Sequence, residues 1–434
     1  MDRDQPKRYS IQGATIAQVK DAGGYDITEA PRVGIIFATL EERGAQRLRA
    51  AGIYVTEIKE VRAPQVTAPV MPPTPLPATT GYSLLELLEI IGFNEEFRHI
   101  TQPPLYGEDI SIAIIDSGIR ETHEKIRGSV AYSENFTTEP MADSYDHGTA
   151  VAAVALQLAP RCRLLNLKVL NREGCGTDEG VALAIDRALE INQGELYPIV
   201  INLSLGKPDE GNPSCPVRAA CRAAIASGVY VVAAAGNQGP SPGTMMSPAC
   251  EQYVIAVGSA GYHPEELRYP FLLSEFSGRG PTPEGHVKPD CLLPGENIQV
   301  ASSTSDTTTT VKSGTSFATP IGSAMIAMHY EAIRKQVRYP TIVPPGLIPG
   351  YSLIVPPPEL LDYWLPHFCV KPDFAPRGKD NDYGYGLPFA QLMAQALTTG
   401  AGIGAEQLTA LITPIITMAM MGAITTQMTQ ELYV

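Results

Sequence analysis

Three short segments carry residue types that could react together. Ile112-Ala113-Ile114-Ile115-Asp116-Ser117-Gly118 is an apolar run that ends in an acid. Asp146-His147-Gly148-Thr149-Ala150-Val151-Ala152 sets a histidine at the head of an Ala/Val-rich helix. Ser313-Gly314-Thr315-Ser316-Phe317-Ala318-Thr319-Pro320 sets a serine at the start of another apolar helix. A serine hydroxyl is a weak nucleophile until an imidazole takes its proton, and a carboxylate must hold that imidazole in the right tautomer. Asp116, His147 and Ser316 are therefore the candidate catalytic residues. Gly314 leaves room for a substrate backbone. The helix-start amide of Ser316 lacks an intrahelical acceptor and can meet a developing oxyanion. Pro320 falls near the helix start, where a missing N–H costs least.

These residues need a scaffold that brings distant segments to one edge. After Gly107, apolar runs at 110–115, 164–169, 199–203, 229–234 and 254–257 alternate with helical patterns at 181–191, 217–227 and 318–329. Such alternation predicts a parallel sheet covered on both faces, with an acid at a strand's C-terminal end facing the functional crevice. Residues 83–91 read as a helix, with Ser83 as N-cap and Glu86 completing a capping box. The first thirty residues carry little pattern. Val33 to Ile58 then reads as a small β-α-β element, followed by a Pro-rich extended linker.

The chain resembles the subtilisin-like serine proteases, in which the acid, imidazole and alcohol come in this order. Further matches are Ile201-Asn202-Leu203-Ser204-Leu205-Gly206, Ala234-Ala235-Gly236-Asn237, Phe276-Ser277-Gly278-Arg279-Gly280-Pro281, Lys288-Pro289-Asp290, Pro294-Gly295 and Tyr383-Gly384-Tyr385-Gly386. The resemblance covers about residues 83–396. It implies an α/β, subtilisin-like fold with a mostly parallel central sheet flanked by helices on both faces, plus a small N-terminal α+β module. It implies a serine endopeptidase in which Asn237 serves the oxyanion and Ser204, Leu205 and Gly206 bind extended substrate. Met246 stands where many relatives have glycine at the pocket base, and its thioether would favour a small residue before the scissile bond. A peptide-binding relative without activity and an acyl-transferring relative would use the same residues, and both readings stay open.

Domain bounds follow as a propeptide-like module at 1–63, a Pro-rich linker at 64–82, a catalytic domain at 83–398 and an apolar tail at 399–434. The resemblance implies a module that chaperones folding and blocks the cleft, although it is shorter than the usual propeptide; the alternative is an ordinary N-terminal extension. Self-cleavage is expected between Ala63 and Thr101. Residues 407–430 hold no charge and are long enough for a membrane-spanning helix. Pro414 and several threonines favour a docked or self-associating helix instead.

The composition sets outer limits. The 434 residues are 44% apolar and 18% charged, which excludes a disordered chain. A net charge of −14 argues against nucleic acid as partner. The seven cysteines are odd in number, so at least one is unpaired within the chain. Buried thiols are the simpler reading than a Cys215–Cys221 bridge. No cofactor is needed for the chemistry and no metal ligands are identified. Structural calcium is left open, although residues 152–165 are short where many relatives insert a calcium loop. His123 reads as structural, and Gly174-Cys175-Gly176 as a turn near the groove. The charged N-terminus has no secretory pattern, so a cytoplasmic or peripheral, tail-anchored location is expected over secretion.

Overall fold

The computed structural model describes residues 5–66, 81–99, 104–194, 196, 199–266, 269–335, 365–367, 369–372 and 374–388. Most of the linker, the late Pro-rich patch and the apolar tail lie outside them.

An eight-stranded sheet forms the centre. Its middle strand, Ser111–Asp116, pairs in parallel with Arg163–Lys168 on one side and Ile199–Leu203 on the other. Tyr230–Ala234, Ile255–Tyr262, Cys291–Pro294 and Val130–Asn135 extend it in parallel, and only Phe271–Leu273 runs antiparallel. Period-two geometry explains why the strands read as unbroken apolar runs. Ile112 and Ile114 pack beneath helices Gly148–Leu158 and Thr315–Lys335, whereas Ala113 and Ile115 pack against Asp178–Ile191 and Pro216–Ala226. This is the α/β architecture the sequence implied.

The N-terminal part differs from its reading. Strands Lys7–Gln12, Tyr25–Ala30, Ile35–Leu40 and Tyr54–Glu57 form an antiparallel sheet, with helices Ile16–Asp21 and Glu42–Ala50 as connections. The element order is β-α-β-β-α-β, twice the expected unit. Ile36, Ala38 and Leu40 face the module's own core, with Tyr9, Ile11 and Leu48. Ile35 and Phe37 point the other way and join the core beneath helices 178–191 and 216–226. Glu179 receives the Arg8 guanidinium at 2.8 Å, and Asp186 accepts the backbone amides of Arg32 and Val33 at 2.6 and 3.1 Å. The module is thus docked through one apolar face and a polar rim. The Ser83 capping box is also corrected: helix Leu84–Ile90 begins after Ser83, but the serine side chain makes no cap bond.

Candidate active site

Asp116 ends the middle strand with the same parity as Ile112 and Ile114, so its side chain emerges on the face that carries helices 148–158 and 315–335. His147 caps the first of these helices and Ser316 opens the second. All three are buried, at 0%, 6% and 1% exposure. His147 Nδ1 lies 2.8 Å from Asp116 Oδ1, which also accepts the Ser117 amide at 2.7 Å. That contact fixes the imidazole with Nε2 outward. Nε2 has no hydrogen-bond partner among the described residues. The Ser316 hydroxyl donates instead to the Ser204 carbonyl at 3.3 Å, while the next residue, Phe317, packs its ring 5.3 Å from the imidazole. The acid–imidazole link is formed, whereas the alcohol is bonded to the Ser204 carbonyl and not to Nε2.

A second layer, unseen in the sequence, holds the histidine. Asp143 Oδ2 accepts the Thr149 amide at 2.9 Å, and Oδ1 accepts the Ser117 hydroxyl at 2.8 Å and the His147 amide at 3.3 Å. Ser117 Oγ in turn accepts the Gly148 amide at 2.9 Å. The acid caps the positive end of the histidine helix. Gly148 is required because a Cβ there would strike the Gly118 carbonyl and sit 3.2 Å from Asp116 Cβ. Lys168 is fully buried and donates to the carbonyls of Ser117, Ala142 and Leu170 at 2.6, 3.1 and 2.9 Å. Burial pushes its ammonium pKa down, against the pull of Asp143, Glu139 and Asp116. An acid four residues before a helix-opening histidine was the one legible signal for this layer.

Asn237 follows strand 230–234. Its Oδ1 accepts the Thr315 amide and hydroxyl, both at 2.9 Å, which aims Nδ2 at the space in front of Ser316. Gly314 takes φ +151°, and a Cβ there would lie 3.1 Å from Asn237 Nδ2. Nδ2 donates to the Pro64 carbonyl at 2.8 Å. The residues before Pro64 run as a strand through the cleft. Arg62 exchanges two 2.9 Å backbone bonds with Gly206, and Ala63 donates to the Gly174 carbonyl at 3.0 Å. Glu60–Arg62 pairs antiparallel with Cys175–Thr177. Gly174 closes a turn on the Asn171 carbonyl at 3.0 Å, and Cys175 and Gly176 continue from it as a cleft wall. Gly206 supplies the opposite wall through its backbone. Ser204 lies beneath Ser316, and Leu205 turns into the core. Met246 is buried and packs against Gly206 and Gly236. A Cβ on Gly206 would lie 3.3 Å from Met246 Cβ and Cε, and one on Gly236 would strike the Met246 side chain at 2.5 Å.

His123 is buried, with Nε2 at 3.1 Å from the Thr308 carbonyl. All seven cysteines are unpaired, and Cys162, Cys215, Cys221, Cys250 and Cys291 are buried. Among the described residues no cluster of His, Cys, Asp or Glu could hold a metal ion, and no helix is long and apolar enough to cross a membrane.

Comparison with known proteins adds an independent line. The model of the Subtilase family matches residues 107–341, more than half of the chain. Serine protease AprX of Bacillus subtilis (strain 168) is 31% identical over 256 residues, covering 52% of this chain and 57% of that protein. Subtilisin NAT of Bacillus subtilis subsp. natto is 31% identical over 227 residues, covering 49% and 53%. The chain thus spans a little over half the length of these curated relatives. Among solved structures, S41 Psychrophilic Protease has 26% identity and a TM-score of 0.53, covering 65% of this chain and 92% of that one. Sphericase, at 24% identity and the same TM-score, shares the fold.

Proposed function

The chain belongs to the subtilase family, and from that premise we propose that it is a self-processing serine endopeptidase acting through Asp116, His147 and Ser316. Ser316 Oγ attacks the carbonyl of an extended peptide while His147 Nε2 takes its proton. Asn237 Nδ2 and the Ser316 amide stabilise the tetrahedral oxyanion. His147 then returns the proton to the departing amine, leaving an ester on Ser316. Water attacks that ester by the same relay, releasing the acid and restoring the alcohol. The reaction itself calls on no cofactor.

The observation that carries this reading is the register of residues 60–64. Pro64 presents its carbonyl to Asn237 Nδ2 at 2.8 Å while Arg62 is bonded twice to Gly206. A peptide so held has Pro64 on the acyl side of the bond to be cut, which supports Pro64–Gln65 as the processing site, inside the expected span. The compact pyrrolidine suits a pocket narrowed by Met246. Until it is displaced, the docked module occupies the cleft as an intramolecular inhibitor.

Intact mass and fluorophosphonate labelling of wild type and Ser316→Ala test both parts. Wild type should take up the probe and yield a chain beginning at Gln65. Ser316→Ala should stay full length and unlabelled. Equal labelling of the two would remove Ser316 as nucleophile. A wild type that labels but never loses residues 1–64 would reject self-processing while leaving the peptidase.

A further inference from the structure

Resting on the cleft register just argued, we infer a sixth upstream subsite: Asp178 takes the backbone, and Glu210 the basic side chain, of an extended peptide six residues before the cut. Counting back from Pro64, that residue is Lys59. Its amide donates to Asp178 Oδ2 at 3.1 Å, and the Asp178 amide donates to the Lys59 carbonyl at 2.9 Å. The Lys59 ammonium pairs with Glu210.

The site is built by the enzyme. Asp178 opens the helix Asp178–Ile191 behind a Thr177 cap, so its amide lies in the first turn, where no intrahelical acceptor exists. Its carboxylate is fully buried and fixed by Lys207 Nζ at 2.7 and 2.8 Å. Lys207 directly follows Gly206. The Asp178–Lys207 bridge therefore ties the two cleft walls together beyond the fourth position.

The fifth position is skipped for a physical reason. Arg62 pairs with Gly206 in an antiparallel bridge, so Glu60 falls opposite Pro208, which has no N–H to give. The next backbone recognition comes from the other wall, at Asp178. When residues 1–64 depart, the Asp178 amide loses its acceptor and its carboxylate loses a donor. Both are restored by an incoming peptide of sufficient length.

The test uses the wild-type protein and quenched peptides carrying Val-Arg-Ala-Pro or Lys-Glu-Val-Arg-Ala-Pro before the cut. The longer peptide should have about tenfold higher kcat/KM, since its sixth amide bonds a buried carboxylate. An ester oxygen in place of that amide N–H should erase most of the gain without any change to the protein. Replacing the sixth-position Lys by Glu should cost about threefold, as for an exposed ion pair, and Glu210→Gln should remove that difference. No gain with length, or a gain indifferent to the ester, overturns the subsite. If neither peptide is cut, the endopeptidase reading fails and hydrogen exchange decides the subsite alone. In full-length Ser316→Ala the Lys59 amide should exchange slowly. Adding Asp178→Ala should speed it at least tenfold while the Arg62 amide stays protected. Unchanged protection at Lys59 would overturn the assignment.

Discussion

Asn237 is held by one end and offered by the other. Because Thr315 donates two bonds to its Oδ1, the amide group cannot flip without losing both, and Nδ2 stays on the substrate side. Asn237→Ala should therefore lower kcat by roughly 10²–10³, with KM changed much less, because the bond strengthens as charge develops on the oxyanion; the case from which that range comes is itself a subtilisin. Steady-state kinetics on a soluble peptide checks it, and a drop confined to KM would mean that Asn237 binds the ground state only. Met246 makes a complementary prediction. It occupies the volume between Gly206 and Gly236. Met246→Gly should raise kcat/KM for Phe relative to Ala at the position before the cut by about tenfold or more, since differences of a few methylenes in a pocket carry that weight. An unchanged Phe/Ala ratio would show that the pocket is closed by something else.

At the scale of elements, the helix that carries Ser316 holds a proline that first-turn logic does not excuse. Pro320 is the sixth residue of Thr315–Lys335, so the amide it lacks would have bonded the Ser316 carbonyl. Ser204 Oγ donates to that carbonyl at 2.7 Å. Asn202 Nδ2 donates to Ser204 Oγ at 3.1 Å, and Ser323 Oγ donates to Asn202 Oδ1 at 2.9 Å. This buried chain docks the helix on strand 199–203 and replaces the missing backbone bond. Ser204→Ala should cost about 1–3 kcal/mol in urea unfolding, the usual penalty for an orphaned buried carbonyl. Adding Pro320→Ala should recover part of that loss by returning the N–H; a double mutant no more stable than the single would break the argument. The sequence placed this helix and its strand because both are continuous apolar runs. It missed the elements whose partners supply the order. Tyr25–Ala30 is mostly polar and exposed, and Cys175–Thr177 is three residues long with a partner more than a hundred positions away. Neither leaves a periodic apolar trace, and each exists through the strand beside it. Asp116, His147 and Ser316 stand out in the sequence for the opposite reason: each sits in a local motif with a glycine one or two residues away.

Over the whole molecule, one buried acid ties the end of the catalytic fold to its centre. Asp290 lies just before strand Cys291–Pro294, fully buried. Its Oδ2 accepts the Ala256 amide at 2.6 Å and Lys288 Nζ at 2.7 Å, and Lys379 Nζ lies 2.6 Å from Oδ1. Its backbone carbonyl accepts the Tyr385 amide at 2.8 Å. The Lys288-Pro289-Asp290 and Tyr383-Gly384-Tyr385-Gly386 motifs, far apart in sequence, thus meet at Asp290, which also bonds Ala256 of strand Ile255–Tyr262. Burial alone would raise the Asp290 pKa, but Lys288 and Lys379 outweigh it and hold the carboxyl below its ordinary value. With the folded value depressed, the unfolded chain binds this proton first as pH falls. The stabilisation is present above the unfolded carboxyl pKa, near 4, and is lost as pH drops through the lower folded value. Asp290→Asn keeps an acceptor for Ala256 but leaves both lysines without their anion. It should cost on the order of 3 kcal/mol at pH 7, as for a broken buried pair. It should also flatten the acid limb by up to about 1.4 kcal/mol per pH unit, one proton's share of the slope. Urea unfolding from pH 7 to pH 2.5, with Ser316→Ala in both chains to prevent self-digestion, measures both effects. Parallel acid limbs in the two proteins would mean that Asp290 keeps its ordinary affinity for protons and that another group drives acid unfolding.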